Sequence, residues 1–119
     1  MNDPDAALML EFAHGDEEAF VKLYRSYRDR MVGYCMRLLG DLAQAEEAAQ
    51  DVFLKLYGAR ASYQPQSRFS TYLYRIATHH CWNLRARLDR TLVKRGVAVE
   101  EHADAARGTS DPTERIAND

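Results

Sequence analysis

Apolar residues recur three and four apart along most of this 119-residue chain, and nowhere does a run of β-branched residues alternate with polar ones as a half-buried strand requires. The fold this pattern supports is all-α, a compact bundle of about four helices. The stretch from Arg68 to Arg87 shows it best. Phe69, Leu73, Ile76, His80, Leu84 and Leu88 make one stripe that should face a core, which leaves Tyr72, Arg75, His79 and Trp82 together on another side. Aromatic rings beside guanidinium groups stack on bases and neutralise phosphates, the chemistry of a surface for unpaired nucleic acid. Interior packing accounts for Trp82 equally well.

Capping residues divide the rest of the pattern. Asp3, Pro4 and Gly15 bound a short first helix over about Pro4 to His14, with Leu8 and Phe12 as its sticky side. A longer one runs from Asp16, where Asp16, Glu17 and Glu18 complement the helix dipole, to Leu39, with Gly40 as a stop. Its apolar positions are Phe20, Leu23, Tyr24, Tyr27, Met31, Tyr34, Cys35 and Leu38. Asp41 and Gln44 are spaced as a capping box for a third helix, whose buried stripe would be Ala45, Ala48, Ala49, Val52, Phe53, Leu56 and Tyr57 and whose end would be Gly58. Ala59 to Ser67 has no stripe and reads as an ordered loop, followed by the fourth helix from about Arg68 to Arg90.

These elements place one domain over residues 1–95. Beyond it, residues 96–119 are acidic and poor in large apolar side chains, a flexible linker by composition, with Ser110-Asp111-Pro112-Thr113-Glu114 resembling the start of a further helix. The net charge of −2 conceals segregation: residues 1–60 carry 7 basic and 11 acidic groups, residues 61–95 carry 7 and 1, and residues 96–119 carry 2 and 6. The middle block suits a polyanion and the first half a basic protein partner, although solvated helix faces would also account for the charges.

No apolar run approaches the roughly 20 residues of a membrane span and the N-terminus lacks a basic signal-peptide start, so the cytoplasm is the compartment expected. Cys35 and Cys81 lie inside helical patterns and read as small core hydrophobes. An enzyme or metal protein is disfavoured by the spacings. His79 and His80 are adjacent and diverge by about 100° on a helix, His14 sits at a helix end, His102 is in the linker, and neither a Cys-x-x-Cys nor a glycine-rich phosphate loop occurs. No cofactor, metal or small-molecule substrate is expected, and His80 reads as a hydrogen-bonded core residue.

The order of several short motifs carries a more specific message. Gly15-Asp16-Glu17-Glu18-Ala19-Phe20, Leu23-Tyr24 with Tyr27, Ala45-Glu46-Glu47 leading to Gln50-Asp51-Val52-Phe53, and Arg68-Phe69-Ser70-Thr71-Tyr72-Leu73 with Ile76-Ala77 follow one another in the spacing of a known family. Over roughly Gly15 to Arg87 the chain resembles bacterial sigma factors of the extracytoplasmic-function group, in their conserved second region.

The resemblance implies two surfaces. The third helix would dock on the clamp helices of the largest subunit of core RNA polymerase through Glu46, Glu47, Gln50, Asp51 and Leu54. The loop and fourth helix would melt the promoter −10 element and hold flipped bases of the non-template strand. Tyr63, Gln64, Gln66 and Ser67 would form the pocket, Tyr72, Arg75 and His79 would extend it, and Arg68, Arg85 and Arg87 would meet phosphates. An extruded base offers a ring face and a pairing edge that a stacked duplex hides. Tyr72 stands where many members carry tryptophan, and His79 where asparagine is usual, so the preferred −10 sequence cannot be copied from relatives. Members also carry a helix-turn-helix fourth region, which would begin where this chain ends. Many are held by an anti-sigma factor, which gives the alternative reading of a protein-interaction module that does not bind DNA on its own and reaches a membrane only through that partner.

Overall fold

The computed structural model describes residues 2–94 and Gly96. Four helices, α1 (Pro4–Ala13), α2 (Glu17–Leu39), α3 (Leu42–Gly58) and α4 (Phe69–Lys94), and one short 3-10 turn over Arg60–Ser62 make an all-α bundle, with no strand among the described residues. The tail from residue 97 on, including His102 and the Ser110–Glu114 motif, lies outside the described residues.

The helix starts follow the capping residues. Asp3, Asp16 and Asp41 each hold extended backbone and accept from amides of the first turn, at 3.2 Å for Ala6, 3.0 Å for Glu18 and 3.1 Å for Gln44. Such caps contribute about 1 kcal/mol each. Gly40 ends α2 in the left-handed region at φ 78°, a conformation that costs glycine no Cβ clash, and its amide returns to the Met36 carbonyl at 2.8 Å. Gly58 does not play that part. It is the last residue of α3, and Ala59 continues in right-handed geometry into the 3-10 turn.

The core gathers Met9 and Phe12 of α1, Leu23, Met31 and Cys35 of α2, Val52 and Leu56 of α3, and Phe69, Leu73 and Cys81 of α4, all but sealed from solvent. In α1 it is Ala6, Met9 and Phe12 that turn inward, while Leu8 is only partly covered. An aromatic cluster joins three helices: Phe12 meets Phe20 at 4.9 Å and Tyr57 at 5.0 Å, and Phe20 meets Tyr57 edge-on at 5.2 Å. Between α2 and α4, the buried Tyr34 hydroxyl lies 2.6 Å from Thr78 Oγ1, which donates to the Tyr74 carbonyl at 2.7 Å. The hydroxyl proton of Thr78 is thereby used, so Tyr34 is the donor of that pair. Cys35 and Cys81 are buried free thiols facing each other across the same seam; their mutual hydrogen bond raises Cys81 and lowers Cys35.

Candidate polymerase and nucleic-acid interfaces

Two surfaces stand out, one on α3 and one on α4. On α3, Ala45, Ala48, Ala49, Val52, Phe53 and Leu56 turn inward, which leaves Glu46, Glu47, Gln50 and Leu54 exposed together. Leu54 is 64% exposed, an unusual position for a leucine. A groove of about 350 Å³ runs between α3 and α2, lined by Glu46, Glu47, Gln50 and Phe53 on one side and Tyr24 and Arg28 on the other. Tyr24 stands edge-on to Phe53 at 4.9 Å. Sequence periodicity assigns Tyr24 to the core, but at 37% exposure it forms the groove's apolar wall. Arg28, which nothing in the sequence singles out, pairs with Asp29 at 3.1 Å, and its pKa is raised chiefly by its hydrogen bond with Tyr24.

Asp51 is shared between the surfaces. Its carboxylate is half-exposed, and its Oδ2 sits 3.3 Å from Nε2 of the buried His80, within ion-pair distance but not aligned as a hydrogen bond. Burial and then the Lys55 ammonium push the His80 pKa below the ordinary imidazole value, against the opposing pull of Asp51. His80 is thus a core residue, as its stripe position predicts, but its Nε2 makes no hydrogen bond there and only leans on one carboxylate.

On α4, Phe69, Leu73, Ala77, His80 and Cys81 face the core, and Arg75 and His79 are exposed, with Tyr72 half-buried beside them. Trp82 is 38% exposed and lies 6.3 Å from the His79 ring, so it belongs to the outer face rather than the interior. The stripe is narrower than its spacing suggests: Ile76, Leu84 and Leu88 are only half-buried, while Thr71 and Thr78 are buried.

The loop before α4 divides. Gln64, Gln66 and Arg68 are exposed, Ser67 is half-exposed, and the Gln66 amide group donates to Gln64 Oε1 at 3.3 Å. Tyr63 is 8% exposed, with its ring edge-on to Tyr72 at 5.1 Å. It therefore forms the floor under Tyr72 rather than a free wall of the loop. Burial raises the pKa of both Tyr63 and Tyr72, so both phenols stay neutral.

Two predicted phosphate contacts separate from this face. Arg85 is half-buried and donates from Nη1 to the Leu38 carbonyl at 2.5 Å, where the C-terminal end of α2 offers partial negative charge. It is a fold-closing residue, beside a groove of about 370 Å³ lined by Leu39, Asp41, Leu88 and Leu92. Arg87 is exposed about three to four turns further along α4 than Tyr72 and Arg75, close enough for its charge to be felt at His80. The charge blocks of the sequence are also redistributed. The acidic first half contains α2, whose Lys22, Arg25, Arg28, Arg30 and Arg37 are all exposed, and Arg30 packs over the Tyr27 ring at 4.0 Å.

Among the described residues, no group of three or more His, Cys, Asp or Glu side chains could hold a metal ion, and no helix is long and apolar enough to cross a membrane.

Comparison with known proteins meets this geometry from another direction. The family model "Sigma-70 region 2" matches residues 23–91, which contain the exposed α3 face, the loop and most of α4. The chain is 40% identical over 65 residues to "ECF RNA polymerase sigma factor SigW" of Bacillus subtilis, covering 55% of this chain and 35% of that protein. It is 33% identical over 81 residues to "RNA polymerase sigma-H factor" of Pseudomonas aeruginosa, covering 68% and 42%. To "ECF RNA polymerase sigma factor SigK" of Mycolicibacterium vanbaalenii it is 30% identical over 113 residues, covering 95% and 55%. The chain therefore spans between about a third and just over half the length of these curated relatives.

Proposed function

The chain belongs to the sigma-70 region 2 family, and from that premise we propose that it is the part of a sigma factor that docks on core RNA polymerase through α3 and captures the opened −10 non-template strand on α4. One observation supports this most: Tyr72, Arg75 and His79 stand on one face of α4, with Tyr72 packed edge-on against the buried Tyr63 ring and with Gln64, Gln66 and Arg68 exposed in the loop beside it. An aromatic platform over a buried floor, rimmed by amide and guanidinium donors, suits a base that has left its stack. Stacking contributes on the order of 1–3 kcal/mol per base, comparable with the few kcal/mol lost on unstacking.

The α3 face serves a different partner. Glu46, Glu47 and the half-exposed Asp51 beside the apolar Leu54 fit a basic helical surface with an apolar seam, the chemistry we assign to the polymerase clamp helices. The function on this reading is binding and positioning, with no bond-making step by this chain. An anti-sigma factor would compete for the same α2–α3 groove.

A swap of substitutions tests the division of labour. Asp51→Arg should weaken capture of the domain by core polymerase while Tyr72→Ala leaves it intact. Polymerase capture that survives Asp51→Arg, Glu47→Arg and Leu54→Ala together would remove α3 from the docking surface.

A further inference from the structure

Asp3 and Phe69 are 66 positions apart, yet one carboxylate serves the starts of two helices. Oδ1 of Asp3 accepts from the Ala6 amide at 3.2 Å as the N-cap of α1, and Oδ2 accepts from the Phe69 amide at 2.8 Å, the first residue of α4. The first amides of a helix have no partner within it, and a negative charge is favoured there, so a single side chain satisfies both ends. The Tyr63 hydroxyl lies buried nearby without a hydrogen-bond partner; burial, the Asp3 charge and Tyr72 push it up to about 12. Tyr63 in turn packs against Tyr72 at 5.1 Å, and the Phe69 ring lies 6.3 Å from Tyr72. The exposed segment Gln64–Arg68 is thus fixed at one end by the packed Tyr63 and at the other by Asp3.

We propose that Asp3 is a positioning residue for base capture: by capping α1 and α4 together, it fixes the loop and the Tyr72 ring in the arrangement that receives an unpaired base. The inference rests on reading α4 as the strand-capturing helix, and adds that the first helix of the chain sets the geometry of that face. A second tie supplies an internal control. The Tyr27 hydroxyl donates to Asp5 Oδ2 at 2.5 Å, which holds α1 to α2, and Tyr27→Phe removes that bond while keeping the ring that packs on Phe69 at 5.5 Å.

Asp3→Ala, Asp3→Asn and Tyr27→Phe in the full chain separate the possibilities, since asparagine offers one acceptor oxygen and keeps one cap of the two. Without DNA, amide hydrogen exchange at Phe69 should quicken by about five- to tenfold in Asp3→Ala, the size of one lost capping bond, and stay unchanged in Tyr27→Phe. With a single-stranded −10 oligonucleotide at a temperature where every variant is folded, Asp3→Ala should bind about five- to tenfold more weakly, with Asp3→Asn between it and the parent and Tyr27→Phe equal to the parent. Unchanged Phe69 exchange in Asp3→Ala overturns the proposal, as does weakening of oligonucleotide binding in both Asp3→Ala and Tyr27→Phe in proportion to their lost thermal stability. A parent chain that binds no oligonucleotide contradicts the proposed function instead, and the exchange measurement still decides whether Asp3 holds the loop.

Discussion

His80 of α4 rests 3.3 Å from the carboxylate of Asp51 on α3, which ties the helix that presents Tyr72 and Arg75 to a residue of the proposed polymerase face. The contact is lopsided: the imidazole is buried and the carboxylate is half-exposed. Lys55 and Arg87, both exposed cations close enough to be felt, add to burial in keeping the imidazole neutral.

This arrangement gives a pH dependence. An imidazole whose folded pKa lies below its unfolded value near 6.5 is protonated first in the unfolded chain, so its effect is absent at high pH and stability falls as pH drops through that value. The melting temperature of the parent should decline more steeply between about pH 7.5 and pH 5.5 than that of His80→Asn. Equal slopes for the two proteins would show that His80 does not titrate differently on folding.

Arg85 and Arg75 contrast a structural arginine with one proposed to face DNA. Arg85→Ala removes the donor to the Leu38 carbonyl and should cost about 1 kcal/mol, or roughly 4–8 °C in melting temperature for a domain of this size. Its affinity for single-stranded DNA should equal that of the parent. Arg75→Ala should do the reverse, leaving stability unchanged and lowering the slope of log affinity against log salt by about 1. An oligonucleotide defect in Arg85→Ala matching that of Arg75→Ala would return Arg85 to the phosphate contacts.

The α4 stripe predicts a third contrast. Leu73→Ala, at a fully buried position, should destabilise the domain by about 2–5 kcal/mol in urea unfolding. Leu54→Ala, on the exposed α3 face, should stay within about 0.5 kcal/mol of the parent while weakening polymerase capture. A large stability loss in Leu54→Ala would make its exposure misleading.

Much of this was legible in the sequence because capping and periodicity act locally. Asp16, Asp41 and Gly40 mark helix ends by their own chemistry, and the α3 stripe is buried from Ala45 to Leu56 as its spacing requires, with Tyr57 at its end only half-buried. What escaped depends on where helices meet. Tyr24 matches the α2 stripe but sits at the edge of the α2–α3 groove, and Met9 rather than Leu8 is the α1 residue that the neighbouring helices cover fully. The aromatic and basic face of α4 could be read residue by residue. The burial of Tyr63 could not, since it depends on contacts distant in sequence or on another helix, Tyr72 among them, and Arg85 looked like any other basic residue until the end of α2 was seen beside it.

Capture of an unpaired strand is the central claim, and one titration tests it most directly. Fluorescently labelled −10 non-template DNA, single-stranded or duplex, is titrated with the parent and with Tyr72→Ala at two salt concentrations. The parent should bind the single strand more tightly than the duplex, lose affinity as salt rises, and bind more tightly than Tyr72→Ala by about 5- to 150-fold, the range of one stacked base. Equal affinity of parent and variant for the single strand, unaffected by salt, would contradict it.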